Sequence, residues 1–307
     1  TSREMGKGDR RPLAGIPFHS LDSYLGKLIK GGHKVAICEQ IEDSKDSKGL
    51  LDRKVVRVVT PGTVDVNHVL EEGVNNYLVS VIIEGDVAGL AYTDITTGTY
   101  ISVTQLPADS LSEELDRLNP AEILVSGDES ERFELKNCTV VGKDLFALVE
   151  SRQSLLKLLG AMTLDGYGCE QLPMALQAAG GLIHYLHGNQ QGVLNGIAGL
   201  MTYSTNDFMV LDSQTRRNLE LFQGGRWGDA SFSLISTLNL TRTPMGSRLL
   251  RRWLSQPLLD SVEITSRLDV VEWFLVSSTI RQKTFAVMKK ISDLERLIDR
   301  VRTGRVI

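Results

Sequence analysis

Apolar and polar positions follow different periods in three successive parts of the chain, and these periods predict its elements. In residues 21–28 the apolar side chains recur at i, i+3, i+4 and i+7, which predicts a helix of about three turns that ends at Gly31-Gly32. Residues 35–38 and 54–60 are β-branched runs, the second followed by the turn formers Pro61-Gly62, and both predict strands. The first part is therefore predicted to be mixed α/β.

The middle part opens with a pattern that is typical of an antiparallel meander. Three β-rich runs separated by short glycine-containing turns lie at residues 76–83, 87–94 and 99–103. A helix is predicted at 111–118 and a further strand at 122–125, so this part is a second α/β unit. From residue 155 onward the periodicity is helical.

The third part is predicted to be almost all helix, and its clearest element lies between Thr243 and Pro257. Thr243 is a preferred N-cap, Pro244 fits the first helical position, and Pro257 ends the helix. The apolar face of this helix is predicted to pack in a hydrophobic core, and its side chains are those of Met245, Leu249, Leu250, Trp253 and Leu254. The other side carries Arg248, Arg251 and Arg252, for which a solvated rim and a functional role both stay open.

Three smaller signals complete the third part. Residues 208–211 predict a short strand, and Asp212 or Ser213 is placed to cap the helix that follows. A capping box from Ser292 to Glu295 predicts the start of a last helix.

The net charge of −4 conceals an uneven distribution. Residues 1–60 carry twelve Lys/Arg against eight Asp/Glu, residues 61–200 six against nineteen, and residues 201–307 sixteen against eleven. The middle block at −13 would be repelled by a phosphate backbone, whereas the two flanking blocks would not. An acidic surface that only maintains solubility is the alternative interpretation.

The sequence also restricts the cellular context. It contains no secretory signal and no run of about eighteen apolar residues, so we expect a soluble cytoplasmic protein with no membrane association. The cysteines at 38, 138 and 169 are far apart, which indicates neither a disulfide framework nor a zinc site. The first residue, Thr1, is not an initiator methionine, and the residues before Ile307 do not have the composition of a C-terminal tail. We therefore interpret the chain as a piece of a longer protein.

Candidate chemistry is sparse. The polar, glycine-rich loop 5–12 places Lys7, Arg10 and Arg11 where they could meet phosphates, although a solvated loop is an equal alternative. No G-x-x-x-x-G-K-[ST] motif occurs, so no ATP site is expected in this chain. Asp94 at a strand end suggests a nuclease carboxylate, and His184 with His187 suggests a metal pair, but neither has an identifiable further ligand.

Five blocks of sequence, in the same order, resemble the bacterial MutS family of DNA mismatch-recognition proteins. They span nearly the whole chain and are Ala14–His19, Val35–Gln40, Arg53–Thr63, Leu211–Glu220 and Thr243–Leu254. The resemblance implies three domains: residues 1–65 the C-terminal part of a mismatch-binding domain, 66–190 a ribonuclease-H-like connector, and 195–307 the start of a helical core and lever domain. The implied fold class is multi-domain α/β followed by mainly α.

The resemblance also implies a function, which is mismatch recognition in post-replicative repair by an ATP-dependent DNA clamp. The implied partners are double-stranded DNA with mismatches or small loops and a MutL-type protein, and the full-length protein is implied to be a homodimer in a cytoplasmic, nucleoid-associated setting. The family's Phe-x-Glu wedge is not found, since none of the eight phenylalanines is followed two positions later by Glu. ATP and Mg²⁺ would belong to an ATPase domain beyond residue 307, so this chain has no expected cofactor or catalytic site.

Within the chain, the expected DNA contacts are basic groups that meet phosphates. These groups are Lys7, Arg10, Arg11, Arg53, Lys54 and Arg57. Two alternatives remain: a MutS-like paralogue that acts in another DNA transaction, and a protein-interaction scaffold.

Overall fold

The structure is a computed structural model. It describes residues 2–4, 10–12, 18–40, 53–65, 70–98, 100–127, 137–189, 192–225 and 228–304.

The N-terminal part is built on one helix and two short antiparallel pairs of strands. One pair precedes the helix in the chain and the other follows it. The elements, in chain order, are β1 (Ser2–Glu4), β2 (Arg10–Pro12), α1 (Leu21–Lys30), β3 (Val35–Gln40) and β4 (Arg53–Val59), and β1 pairs with β2 and β3 with β4. The predicted helix and both predicted strands are confirmed. A small core joins α1 to the β3–β4 hairpin through the buried side chains of Leu25, Ile29, Val59 and Val64.

A six-stranded sheet forms the middle part. Its strands are β5 (Leu78–Glu84), β6 (Val87–Thr93), β7 (Ile101–Pro107), β8 (Glu122–Ser126), β9 (Cys138–Val141) and β10 (Leu200–Thr202), in the order β10-β7-β6-β5-β8-β9. The strands β5, β6 and β7 are antiparallel, whereas β8 and β9 continue the sheet in parallel. The predicted meander is confirmed.

Helices cover both faces of this sheet because its strands alternate between two apolar sets. Helix α2 (Leu111–Leu118) packs on one face against Val79, Val81 and Leu90. Helices α3 (Leu148–Leu159) and α4 (Pro173–Asn189) cover the other. Glycine permits the closest approach, since a Cβ at Gly89 would lie 2.0 Å from the carbonyl oxygen of Met174.

The third part is helical, as predicted. Its helices are α5 (Ser213–Asn218), α6 (Leu234–Leu238), α7 (Pro244–Ser255), α8 (Ser261–Val276), α9 (Ser278–Met288) and α10 (Leu294–Arg302). The predicted fold class, α/β followed by mainly α, is thus confirmed. None of the described helices is both long and apolar enough to cross a membrane.

Three local predictions in this part needed the structure to decide them. Residues 208–211 do not form a strand, because Phe208 makes only an isolated bridge to Leu258. Asp212 rather than Ser213 caps α5, and its carboxylate accepts from the Thr215 amide at 2.6 Å. The cap of α10 is Asp293, not Ser292, which corrects the predicted capping box by one residue.

The prediction for α7 is half right. Its limits and its Thr243 cap are confirmed, but the apolar face is not core, since Leu249 is 42% exposed and Trp253 is 41% exposed. The buried side chain is instead Arg248, which is 2% exposed. Arg248 is buried because it forms ion pairs with Asp293 and Glu295 at the start of α10. The apolar face that carries Leu249, in contrast, is only partly covered by the described residues.

We therefore expect Leu249→Ala to lower the free energy of unfolding by only about 1 kcal/mol, because a half-exposed side chain loses little burial and leaves no cavity. The comparison variant is Phe146→Ala in the connector, where a side chain that is 1% exposed should cost about 3–5 kcal/mol. Equilibrium urea unfolding of both variants measures the difference. Equal losses would show that the α7 face is buried in solution.

Candidate nucleic-acid interface

The β3–β4 hairpin carries three of the six predicted DNA contacts. Arg53 and Lys54 are exposed at the start of β4 and pair in register with Gln40 and Glu39 of β3. Their side chains point to opposite faces of the hairpin, because neighbours along a strand alternate. The exposed Glu39 lies directly opposite Lys54, so its carboxylate reduces the positive charge on that face.

Arg57 is less available than its neighbours. It is half-buried on the same strand, and its guanidinium forms an ion pair with the carboxylate of Asp65. A phosphate would have to compete with this carboxylate. Among the predicted contacts on the hairpin, Arg53 and Lys54 are therefore the accessible pair.

The other three predicted contacts are only partly described. Arg10 and Arg11 lie in β2, in register with Glu4 and Arg3 of β1, and only the backbone of these residues is described. Lys7 falls between the two strands, outside the described residues.

The end of the hairpin away from Arg53 is attached to the connector through Glu122. This side chain is 1% exposed at the start of β8. Its Oε2 accepts from the Thr60 hydroxyl and, at 3.1 Å, from the Gly62 amide, both just after β4. Sequence reasoning did not single out Glu122, although a carboxylate at the head of an apolar strand signals a buried acceptor that needs donors.

Arg296 joins the helical part to the connector, and next to it lies an ion-pair cluster within the helical part that is centred on Arg248. Arg248 on α7 donates to both carboxylate oxygens of Asp293 at 2.7 and 2.6 Å and to Glu295 at 2.6 and 3.1 Å. Burial alone would lower the pKa of Arg248, but these ion pairs raise it above its usual value. Arg296 then donates to the carbonyl oxygens of Glu71 and Val74, at 3.2 and 3.0 Å.

Asp94 has a structural role in the described residues. Its carboxylate accepts from the Asn75 side chain at 2.9 Å, the Asn76 amide at 3.0 Å and both the amide and hydroxyl of Thr96. Over the described ranges no group of three or more His, Cys, Asp or Glu side chains is arranged to hold a metal ion. The nuclease interpretation therefore gains no support from this part of the chain.

His184 is likewise held by protein groups. Its Nε2 lies 2.9 Å from the Ser154 hydroxyl and its Nδ1 lies 2.9 Å from the Leu145 carbonyl oxygen. Both ring nitrogens are thus within hydrogen-bond distance of protein atoms, so the ring anchors α4 to α3.

The negative charge of the middle block is displayed at the surface. Exposed carboxylates border the sheet on several sides, and they include Glu84, Asp86, Asp109, Glu113, Asp116, Asp144, Glu150 and Asp165. One acidic side chain of α2 is internal, since Glu114 forms a bidentate ion pair with Arg117 at 2.8 and 2.6 Å. These exposed carboxylates give the described connector surface the same sign of charge as a phosphate backbone.

An α/β N-terminal piece, an α/β connector and a helical region, joined by buried polar junctions, define a modular multi-domain protein. Three family models match its sequence: MutS domain I at residues 1–67, MutS domain II at 76–198 and MutS domain III at 214–306. The chain belongs to the MutS family.

Curated proteins are similar in sequence to this one along its whole length. A DNA mismatch repair protein MutS from Dehalococcoides mccartyi is 42% identical over 310 residues, which cover 100% of this chain and 36% of the relative. Proteins of the same name from Halothermothrix orenii and Synechococcus elongatus are 41% and 39% identical, over 99% of this chain and 35% and 37% of their own lengths. The chain thus spans about a third of the length of these relatives.

Proposed function

We propose that this chain is a segment of a protein that recognises mismatched DNA in repair. The proposal is supported by relatives named for DNA mismatch repair that match the entire chain at about 40% identity. It takes double-stranded DNA with mismatches or small loops as the ligand. The ATP and Mg²⁺ that drive the clamp would bind a domain outside these 307 residues.

The N-terminal part provides the DNA-facing surface in this proposal. Arg53 and Lys54 project from an exposed strand of a domain with net charge +4, and Arg10, Arg11 and Lys7 precede it in the same part. Such groups bind the phosphate backbone, and they hold the duplex without reading its sequence. Arg57 is the weakest candidate of the six because of its ion pair with Asp65.

The acidic connector has a different role. With a net charge of −13 for residues 61–200 it stands away from DNA and presents its exposed carboxylates to a protein partner, for which a MutL-type protein is our proposal. A second copy of the protein closes the clamp around DNA, in a cytoplasmic, nucleoid-associated setting.

Removing the two accessible cations tests the DNA-facing surface. We expect Arg53→Ala combined with Lys54→Ala to weaken duplex binding equally on matched and mismatched DNA, because phosphates are the same at every step. The slope of log affinity against log salt should become shallower by about 2, one for each lost contact. Fluorescence anisotropy with labelled duplexes at several salt concentrations measures both effects.

The matched control removes two exposed lysines from the connector, Lys143→Ala with Lys157→Ala, and changes the net charge by the same amount. This control should leave the slope unchanged. If the two double variants weaken binding alike, the interaction depends on net charge alone and the hairpin is not the interface.

A further inference from the structure

The hairpin and the connector meet in a cluster of polar groups around Glu122, and both sides supply donors. From the hairpin side, Thr60 and Gly62 donate to Oε2. From the connector side, the Thr139 hydroxyl at 2.5 Å and the Tyr185 hydroxyl at 2.8 Å donate to Oε1. The carboxylate therefore accepts two hydrogen bonds on each oxygen, one pair from each side of the junction.

Glu122 is the acceptor in all four of these hydrogen bonds. Burial raises the pKa of Tyr185, and the neighbouring charge of Glu122 raises it further, so this phenol keeps its proton and donates it. Thr139 accepts from Lys34 at 2.6 Å while it donates to Glu122. A buried carboxylate without these donors would be costly, so an isolated connector would leave Oε2 without two of its partners.

Both strands of the hairpin are attached at the same end. Lys34 directly precedes β3, and Thr60 directly follows β4, where Val35 and Val59 are paired in register. The opposite end, with Arg53, is bonded only within the hairpin in the described residues. Seven residues of strand make about 20 Å, so a rotation of roughly 10° at the attached end would displace Arg53 by about 3.5 Å.

The junction between the hairpin and the connector is also closely packed around Gly62. A Cβ on Gly62 would lie 2.8 Å from both the Glu122 Cβ and the Leu78 Cδ1. The turn after β4 thus packs directly against the paired first residues of β5 and β8, and no side chain can be inserted there without separating them.

From this geometry we propose that Glu122 is a positioning residue that fixes the orientation of the β3–β4 hairpin, and hence of Arg53 and Lys54, relative to the connector. The importance of that orientation for DNA rests on the proposed function. The orientation itself is a property of the protein alone, and it is tested without DNA.

The first measurement is amide hydrogen exchange in the 307-residue chain and its variants. In Glu122→Ala the Gly62 amide loses its charged acceptor, and its exchange should accelerate by roughly tenfold to a hundredfold. The amides of Ala121 and Ile123, which donate to Tyr77 and Asn137, should keep their protection. Equal acceleration at all three amides would overturn the proposal, because Glu122 would then serve only the connector fold.

The second measurement is a distance distribution between spin labels on Cys38, which is exposed on β3, and on Glu84→Cys at the end of β5, with Cys138→Ser in the background. Glu122→Ala should broaden the distribution, and Glu122→Gln, which retains one acceptor oxygen, should broaden it less. The exposed Glu113→Gln on α2 is the control and should change nothing. A distribution in folded Glu122→Ala as narrow as in the parent chain would also overturn the proposal.

Variants on the hairpin side cover the case in which Glu122→Ala does not fold. Thr60→Val removes one donor at constant shape, and Gly62→Ala forces the turn away from β8, while neither changes the connector. Both should broaden the same distribution, and a narrow distribution in both would refute the assignment. Failure of the proposed function would give a different result. The parent chain would then not bind DNA, while its distribution of spin-label distances would still be narrow.

Discussion

The 307-residue chain is expected to bind duplex DNA with an affinity that falls by roughly a hundredfold to a thousandfold as salt rises from about 50 to about 200 mM. Each phosphate contact adds about 0.9 to the slope of log affinity against log salt, and the proposed contacts are five or six basic groups. Five of the proposed contacts are Lys7, Arg10, Arg11, Arg53 and Lys54, and Arg57 adds a sixth only if it leaves Asp65.

The same chain should bind a G·T heteroduplex and a perfect duplex equally well. Discrimination requires a side chain that unstacks a base pair, which costs a few kcal/mol per step and less at a mispaired one. No Phe-x-Glu motif occurs in the sequence, and the candidate contacts meet only phosphates.

Titration of both labelled duplexes at several salt concentrations measures the salt slope and the discrimination together. A heteroduplex preference of tenfold, about 1.4 kcal/mol, would mean that residues assigned here to backbone contact or scaffold sense the mismatch. A salt-independent affinity would contradict the electrostatic origin of the binding.

Arg248→Ala is expected to lower the free energy of unfolding of the helical part by about 2–4 kcal/mol. The variant removes a buried guanidinium that bonds both Asp293 and Glu295, and it leaves the Asp293 carboxylate, which is 17% exposed, without that partner. The expected loss is smaller than for a fully buried pair because Glu295 is 38% exposed and solvent screens its charge.

The loss should also depend on pH. Burial by itself would raise the pKa of Asp293, but its hydrogen bonds and ion pair with Arg248 lower it below the usual value. A carboxyl whose folded pKa is depressed contributes stability above its unfolded pKa, about 3.9, and loses it as the pH falls through the folded pKa. The difference between parent and variant should therefore be full at neutral pH and shrink below about pH 4.

Urea unfolding across pH 3–7, roughly the range in which Asp293 titrates, measures both effects. Arg252→Ala, one turn further along α7 at an exposed position, is the control and should cost less than about 0.5 kcal/mol. If the two arginine variants unfold alike, the ion pairs of Arg248 do not stabilise the helical part.

The local secondary structure of the chain was determined by the sequence itself. The helix at Leu21–Lys30, the meander of β5 to β7, the helix at Leu111–Leu118 and the capped helix α7 all follow from spacing, caps and turn formers. The uneven charge and the five family-like blocks were equally visible, since both depend only on residue identity and order.

Which side chains are buried was decided by the tertiary structure. Spacing on α7 predicted a buried Leu249 and Trp253, yet Arg248 lies inside because Asp293 and Glu295 meet it from α10. No local period encodes a partner forty-five positions away.

The junction at Glu122 has the same origin. Thr60 and Glu122 are sixty-two positions apart in the sequence, and nothing in either segment identifies the other as its partner. A buried carboxylate is stable only where separate segments bring hydrogen-bond donors to it. Those donors come together only on folding, so the role of Glu122 cannot be read from a local pattern in the sequence.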